Sequence, residues 1–202
     1  MFEPLSKMYG RGFFSGRFRL EWRAPLFVDA VSLVFTPISV IDVGCAVGEF
    51  VKEWLKRGID AYGLEGSPDA VEFLMFPQEK LIQHDLRTPI KLNGKKFDLV
   101  TCIEVAEHLD EEFADMFLDN LTKLSDTILM SAAPPGQKGH YHVNCQPYSY
   151  WIDKMDRRGY HLDKPSGDKI RTALYKHTRE KYHKIKELHG IAGNLMCFRR
   201  YQ

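Results

Sequence analysis

Nine residues, Val40-Ile41-Asp42-Val43-Gly44-Cys45-Ala46-Val47-Gly48, join an apolar run, one carboxylate and a turn of small residues. A strand that ends in such a turn and opens a helix leaves free backbone N–H groups beside a small-residue surface, which a nucleotide-like ligand can approach closely. Gly44, Ala46 and Gly48 supply the turn. Their G-x-A-x-G spacing lacks the G-x-G-x-x-G order of a dinucleotide site, which argues against a dehydrogenase. About 20 residues on, Glu65 falls at the end of the next expected strand, where a carboxylate can accept hydrogen bonds from both hydroxyls of a ribose. Glu104, Glu107 and His108, then His140 and His142, are the candidate side chains for holding a proton or a cation.

These residues need a scaffold, and the hydrophobic pattern describes one. A mostly apolar stretch from Leu20 to Phe35 reads as a helix ended by Pro37. Strand-like runs follow at Ile38 to Val43, Ala61 to Leu64, Leu81 to Gln83, Phe97 to Ile103 and Thr127 to Ser131, with Leu195 to Phe198 as a last strand. Between them come helical faces: Phe50, Val51, Trp54 and Leu55; a segment from Pro68; a stretch from Asp110 through Phe113, Phe117 and Leu121; and one opening near Pro147. A basic helical stretch from Ile170 to His189 is expected to close at Gly190. Strands alternating with helices imply a parallel sheet.

Ile41 to Gly48 followed by Gly63-Leu64-Glu65 resembles the first two motifs of class I S-adenosylmethionine-dependent methyltransferases. Gln83-His84-Asp85-Leu86 resembles that family's adenine-binding acidic loop, and Phe97 to Leu109 resembles the strand and turn that hold the methionine end. The resemblance covers Val40 to Met130. It implies an α/β fold, a doubly wound, mostly parallel seven-stranded sheet with helices on both faces. The binding domain would span 37–202, behind an N-terminal lid or helix segment at 1–36. By the same resemblance Asp42 orients the glycine turn near the methionine amino group, Glu65 binds ribose and Asp85 the adenine amino group. The implied cofactor set is Asp42, Gly44, Cys45, Ala46, Gly48, Glu65, Gly66, Ser67, His84, Asp85, Leu86, Ile103 and Glu104, with S-adenosylmethionine as the cofactor. At Ala46 the family most often has glycine, so here a methyl group stands where the backbone approaches the cofactor.

Methyl transfer from a sulfonium is an in-line displacement in which the enzyme positions an acceptor lone pair and removes or tolerates one proton. His108, His140 and His142 are the candidate proton acceptors. No divalent metal is expected. In the alternative, a helical turn after Ile103 puts Glu104, Glu107 and His108 on one face with His140 nearby, a pattern that looks like the metal-binding turn of small-RNA 2′-O-methyltransferases. His84 and His177 are expected to cap loops or pack. Ala133-Pro134-Pro135-Gly136 lacks the polar and aromatic neighbours with which DNA amino-methyltransferases grip a flipped base. Gly139 to Pro147, with Tyr150-Trp151, resembles the acceptor loop of small-molecule and sugar-modifying methyltransferases, where aromatic, amide and imidazole groups suit a polar ring. The expected function is therefore O-methylation of a sugar or metabolite. The alternatives are a metal-assisted RNA ribose 2′-O-methyltransferase and a non-catalytic S-adenosylmethionine-binding partner domain.

Bulk properties restrict the choice. With 202 residues and 44% hydrophobic content the chain can build one compact core. Its 28 basic and 27 acidic residues leave a net charge of +1, and no global field draws it to nucleic acid or membrane. From Asp153 onward thirteen Lys and Arg face six Asp and Glu, among them Arg171, Lys176, Arg179, Lys181, Lys184 and Lys186, but Leu174, Ile185 and Leu188 give that helix an ordinary buried stripe. Four cysteines without a C-x-x-C pair read as reduced thiols, and no run is apolar enough to span a bilayer, so a cytoplasmic location is expected. The oligomeric state is open.

Overall fold

The structure, a computed structural model, describes residues 3–180 and 185–202. Its seven strands form one sheet: β1 (Ser39–Val43), β2 (Asp60–Glu65), β3 (Leu81–Gln83), β4 (Leu99–Ile103), β5 (Thr127–Ser131), β6 (Tyr160–Leu162) and β7 (Leu195–Arg200). Their spatial order is β3-β2-β1-β4-β5-β7-β6. The first five pair in parallel, with Asp42 beside Gly63 of β2 and Thr101 of β4. β7 runs antiparallel between β5 and β6. All six strands expected from sequence form; β6, three residues long, was not among them.

Both faces are covered, as the doubly wound reading requires. One carries helices α3 (Arg23–Ser32), α4 (Glu49–Lys56), α7 (Lys164–Glu180) and α8 (Ile185–Asn194), packing Phe27, Trp54, Leu174 and Leu188 against Val40, Leu99 and Leu129. The other carries α5 (Ala114–Leu124) and α6 (Tyr148–Asp156), where Phe117, Leu121 and Trp151 meet Ile41, Val43, Val100 and Met130. The period-2 alternation of a strand sends neighbours to opposite cores.

Before α3 come two short helices, α1 (Leu5–Met8) and α2 (Arg11–Ser15), and a 3₁₀ turn over Gly16–Leu20. They lie over the carboxyl ends of β1 and β2, Phe14 packing with Ala46, Val47 and Ala70.

Three expectations are corrected here. The segment from Pro68 makes only a 3₁₀ turn, Pro68–Phe73, because the chain then doubles back: Met75 N–H bonds the Val47 carbonyl (2.9 Å) and buries Phe76 against the glycine turn. Gly190 does not end its helix. α8 continues to Asn194 because Leu188, Ile191 and Ala192 extend one buried stripe, and packing outweighs the cost of a single helical glycine. Finally, Tyr150 and Trp151 belong to α6; Trp151 is fully buried against Phe117 and does not face an acceptor. Lys181 and Lys184 lie outside the described residues, as do the side chains of His177, Arg179, Ile185 and Lys186.

Candidate active site

The sheet order reverses between β1 and β4, and in open α/β sheets ligands bind outside the carboxyl ends of strands at such a point. The loops leaving β3, β2, β1, β4 and β5 line one cavity of about 320 Å³ there. In strand order they contribute Asp85 and Leu86, Glu65 and Gly66, Gly44 and Ala46, Glu104 and His108, then His140 and His142.

The glycine turn is bent by three residues at positive φ: Gly44 (73°), Ala46 (50°) and Gly48 (78°). Side chains at two of these would also collide, since a Cβ on Gly44 would lie 2.5 Å from Val105 and one on Gly48 2.1 Å from Phe76. Ala46 takes the left-handed conformation at some cost for an L-residue and keeps its methyl in the cavity wall. Its N–H donates to Glu65 Oε2 (3.1 Å), while Gly66 and Ser67 N–H donate to Oε1 (2.8 and 2.9 Å). Glu65 is thus held by three backbone donors, although burial pushes its pKa up. Asp42 sits behind the turn, buried, accepting from Thr101 Oγ1 at 2.6 Å; burial lifts its pKa to about 7 despite that bond. Cys45, Gly48, Ser67 and Ile103 also stand behind the cavity, Cys45 filling space beside Gly63. Asp85 is gripped through both oxygens by Arg87, which holds its pKa low against partial burial. His84 Nε2 contacts the Thr88 carbonyl (3.0 Å), the loop-capping role expected of it.

The turn after β4 is not the helix that the alternative metal set assumed. Glu104 has φ +55°, and only Ala106–His108 coil, as 3₁₀. Glu104 therefore points away from Glu107 and is taken by Asn194 Nδ2 (3.1 Å) and Gln137 Nε2 (3.4 Å). The histidine loop also differs from an extended strand, because Tyr141 has φ +51°. His140, exposed, stacks on Phe13 and reaches the Met8 carbonyl through Nε2 (3.1 Å). His142 turns inward to His108 and Glu107. The set Glu104, Glu107, His108 and His140 is thus not assembled; Glu107, His108 and His142 are.

Glu107 is wholly buried, and burial followed by the nearby Glu104 charge lifts its pKa from 4.5 to about 8. His108 is displaced oppositely, from 6.5 to about 4, by burial and then by His142. A raised carboxyl pKa stabilises the fold fully below its unfolded value and loses that contribution as pH rises through 8; His108 loses its own as pH falls from 6.5 to 4. Between pH 6.5 and 8 the melting temperature should therefore fall with rising pH, and Glu107→Gln should flatten that slope in thermal scans. A slope unchanged by the substitution would contradict the assignment.

Sequence reasoning missed the arginines that precede the turn. Arg17 lines the cavity with its guanidinium 5.2 Å over Phe13 and its buried Nε unpartnered, and Arg23 is paired inside the protein with Glu49. Arg17, Arg19 and Arg23 without an interposed run of acids were the available signal.

The family model described as "Methyltransferase domain" matches residues 19–159, more than half of the chain. The chain belongs to that family. It is a class I S-adenosylmethionine-dependent methyltransferase. Among solved structures, the plantazolicin methyltransferase BpumL, in complex with a pentazolic desmethylPZN analog and SAH, is 13% identical over 98% of this chain and 93% of its own, with a TM-score of 0.66. A TehB-like SAM-dependent methyltransferase from Corynebacterium glutamicum is 13% identical over 95% and 98%, at TM-score 0.63. Magnesium protoporphyrin IX methyltransferase from Synechocystis, with bound SAH, is 20% identical over 81% and 80%, at TM-score 0.53. These likenesses establish the fold of the methyltransferase. No curated protein matches it significantly. No helix among the described residues is long and apolar enough to cross a membrane.

Proposed function

We propose that this methyltransferase moves the methyl group of S-adenosylmethionine to an oxygen of a small polar acceptor, a sugar or metabolite. One observation carries the reading: a single cavity joins the glycine turn, Glu65 and Asp85 to a wall of three imidazoles. Adenine lies against Leu86 near Asp85 and His84, the ribose hydroxyls donate to Glu65, and the methionine end lies along Gly44 to Ala46 and Glu104. Asp42, Cys45, Gly48, Ser67 and Ile103 shape this site from behind. Arg17, with unused donor capacity, meets the methionine carboxylate. Arg17→Ala should weaken S-adenosylhomocysteine binding roughly tenfold or more. It should leave 5′-methylthioadenosine, which has no carboxylate, unaffected in calorimetry; an equal loss for both ligands would remove this role.

The acceptor oxygen attacks the methyl carbon in line as the C–S bond breaks and S-adenosylhomocysteine leaves. His108, held near pH 4, has little affinity for the released proton at neutral pH. His140 is exposed, and with Nε2 donating to Met8 its Nδ1 is free to accept. It takes the proton, and His142 helps to place the acceptor. The RNA alternative has less support, since at the start of α7 both Lys164 and Arg171 are engaged by the Asp168 carboxylate.

The test is transfer of labelled methyl from S-adenosylmethionine to a panel of sugars, hydroxylated metabolites and RNA. Label is expected on a small hydroxylated compound, with His140→Ala lowering kcat about 100-fold at unchanged cofactor affinity. Label on RNA alone, or full activity in the variant, would overturn the reading.

A further inference from the structure

Asp85 lines two hollows at once. One is the cofactor cavity; the other, of about 380 Å³, shares Leu5, Gly66 and Asp85 with it and adds Glu3 and Arg87. The carboxylate is therefore a partition between the expected adenine end of the site and the N-terminal segment. Arg87 grips it from the second hollow: Nε reaches Oδ1 and Oδ2 (3.0 and 3.1 Å) and Nη2 reaches Oδ2 (2.7 Å), while the Arg87 N–H donates to Oδ1 (3.0 Å). A carboxyl group turns easily about its last torsion, and a planar guanidinium fork on both oxygens fixes its plane. The same Nη2 donates to the Glu3 carbonyl (3.0 Å), 84 residues earlier in the chain. One guanidinium, its side chain only 10% exposed, thus holds a cofactor-facing carboxylate and the N-terminal segment together.

The main chain of the Asp85 loop has its own supports. Asn120, wholly buried on α5, accepts from Ile90 N–H (2.8 Å) and donates to the carbonyls of Leu86 (3.2 Å) and Thr88 (2.8 Å). Thr88 adds its N–H and Oγ1 to the Asp85 carbonyl (3.0 and 2.9 Å). What the Arg87 side chain contributes is the direction of one carboxylate and a link to the N-terminal segment. That segment lies directly on the loop, because at Gly66 a Cβ would stand 2.5 Å from Leu5 and 3.2 Å from the His84 carbonyl.

We propose that Arg87 is a positioning residue that makes recognition of the adenine and docking of the N-terminal segment one coupled event. The inference rests on the reading above in which Asp85 meets the adenine amino group. That amine is a donor, and the carboxylate held by Arg87 accepts from it; an oxo group on the same carbon only accepts and is repelled. Coupling runs both ways. The Glu3 carbonyl steadies Arg87, Arg87 steadies Asp85, and docking favours adenine by the same factor by which bound adenine favours docking. A ligand with the wrong base fills the cofactor cavity without gaining this closure.

Calorimetry on the full chain would compare S-adenosylhomocysteine with S-inosylhomocysteine, in which an oxo group replaces the 6-amino group. The unaltered chain should favour the adenine ligand by about 30-fold or more. Arg87→Met should lower affinity for that ligand about tenfold and leave the inosine ligand within about twofold, whereas a merely structural role would weaken both equally. Limited trypsin digestion reads the docking without any substitution. Lys7 lies inside α1 and is cut when the segment leaves the surface, so saturating S-adenosylhomocysteine should slow that cut several-fold and saturating S-inosylhomocysteine should not. An unchanged ratio of affinities in Arg87→Met, or equal protection by the two ligands, overturns the coupling while the adenine assignment stands. Equal binding of both ligands by the unaltered chain removes the adenine role of Asp85, and this inference with it.

Discussion

Glu65→Ala is expected to weaken S-adenosylmethionine binding by about 100-fold or more, as read by calorimetry. Each hydrogen bond to a charged group contributes about 1.5–3 kcal/mol, and two ribose hydroxyls would share this carboxylate. The same carboxylate already organises the protein around the ligand, because it accepts from Ala46, Gly66 and Ser67 N–H. Its removal frees the glycine turn on one side and the β2 loop on the other. Glu65→Gln separates the two roles. An amide oxygen still accepts from part of this backbone, so the melting temperature should recover more than the affinity does. Cofactor affinity within a factor of two of the unaltered protein in both variants would show that the ribose is bound elsewhere.

Arg23→Met should cost about 3–5 kcal/mol of stability in urea unfolding, the range for breaking a buried ion pair from one side. Arg23 and Glu49 side chains are only 7% and 2% exposed, with Nη2 and Oε1 2.5 Å apart and the guanidinium 5.1 Å over Phe50. Losing the arginine strands a carboxylate in the core at the first turn of α4. Replacing both by methionine should recover most of the loss, because hydrophobic residues of similar volume often substitute for a buried pair without penalty. A single-variant cost below about 1 kcal/mol would mean that water reaches Glu49. The pair ties the N-terminal helices to the helix that opens from the glycine turn, so the same variant should also weaken cofactor binding.

The sheet was readable because its strands are short apolar runs bounded by turns, and a parallel strand buried on both faces leaves little ambiguity. Thr127 to Ser131 matches its strand end to end. Tyr160–Leu162 escaped because three residues are too few to show a period. The cofactor residues were legible as types at fixed offsets. How they divide the work was not: Glu104 and Glu107 look equivalent three residues apart, and only the positive φ at Glu104 sends one to Asn194 and the other into the core. Trp151 misled for a related reason. In sequence it groups with the polar loop before it as an acceptor-side residue, although the helix expected to open near Pro147 contains it, and Met155, one helical turn later, marks the buried stripe to which it belongs. Arg17 and Arg23 were passed over because charged residues in short helices usually face water.

The N-terminal helices form one wall of the cavity and are fastened at several points: Ser67 Oγ to the Tyr9 carbonyl (2.8 Å), His140 to Met8, Arg87 to Glu3, and Arg11 to Glu72. Each catalytic cycle exchanges a spent sulfide for a fresh sulfonium through the space this wall encloses. Where that exchange passes the wall, these fastenings have to open, and the energy that holds them sets a ceiling on how fast the enzyme can cycle. His140 belongs to both the fastening and the chemistry: a proton taken up on Nδ1 strengthens the Nε2–H bond to the Met8 carbonyl, so this latch holds until that proton is passed on to solvent.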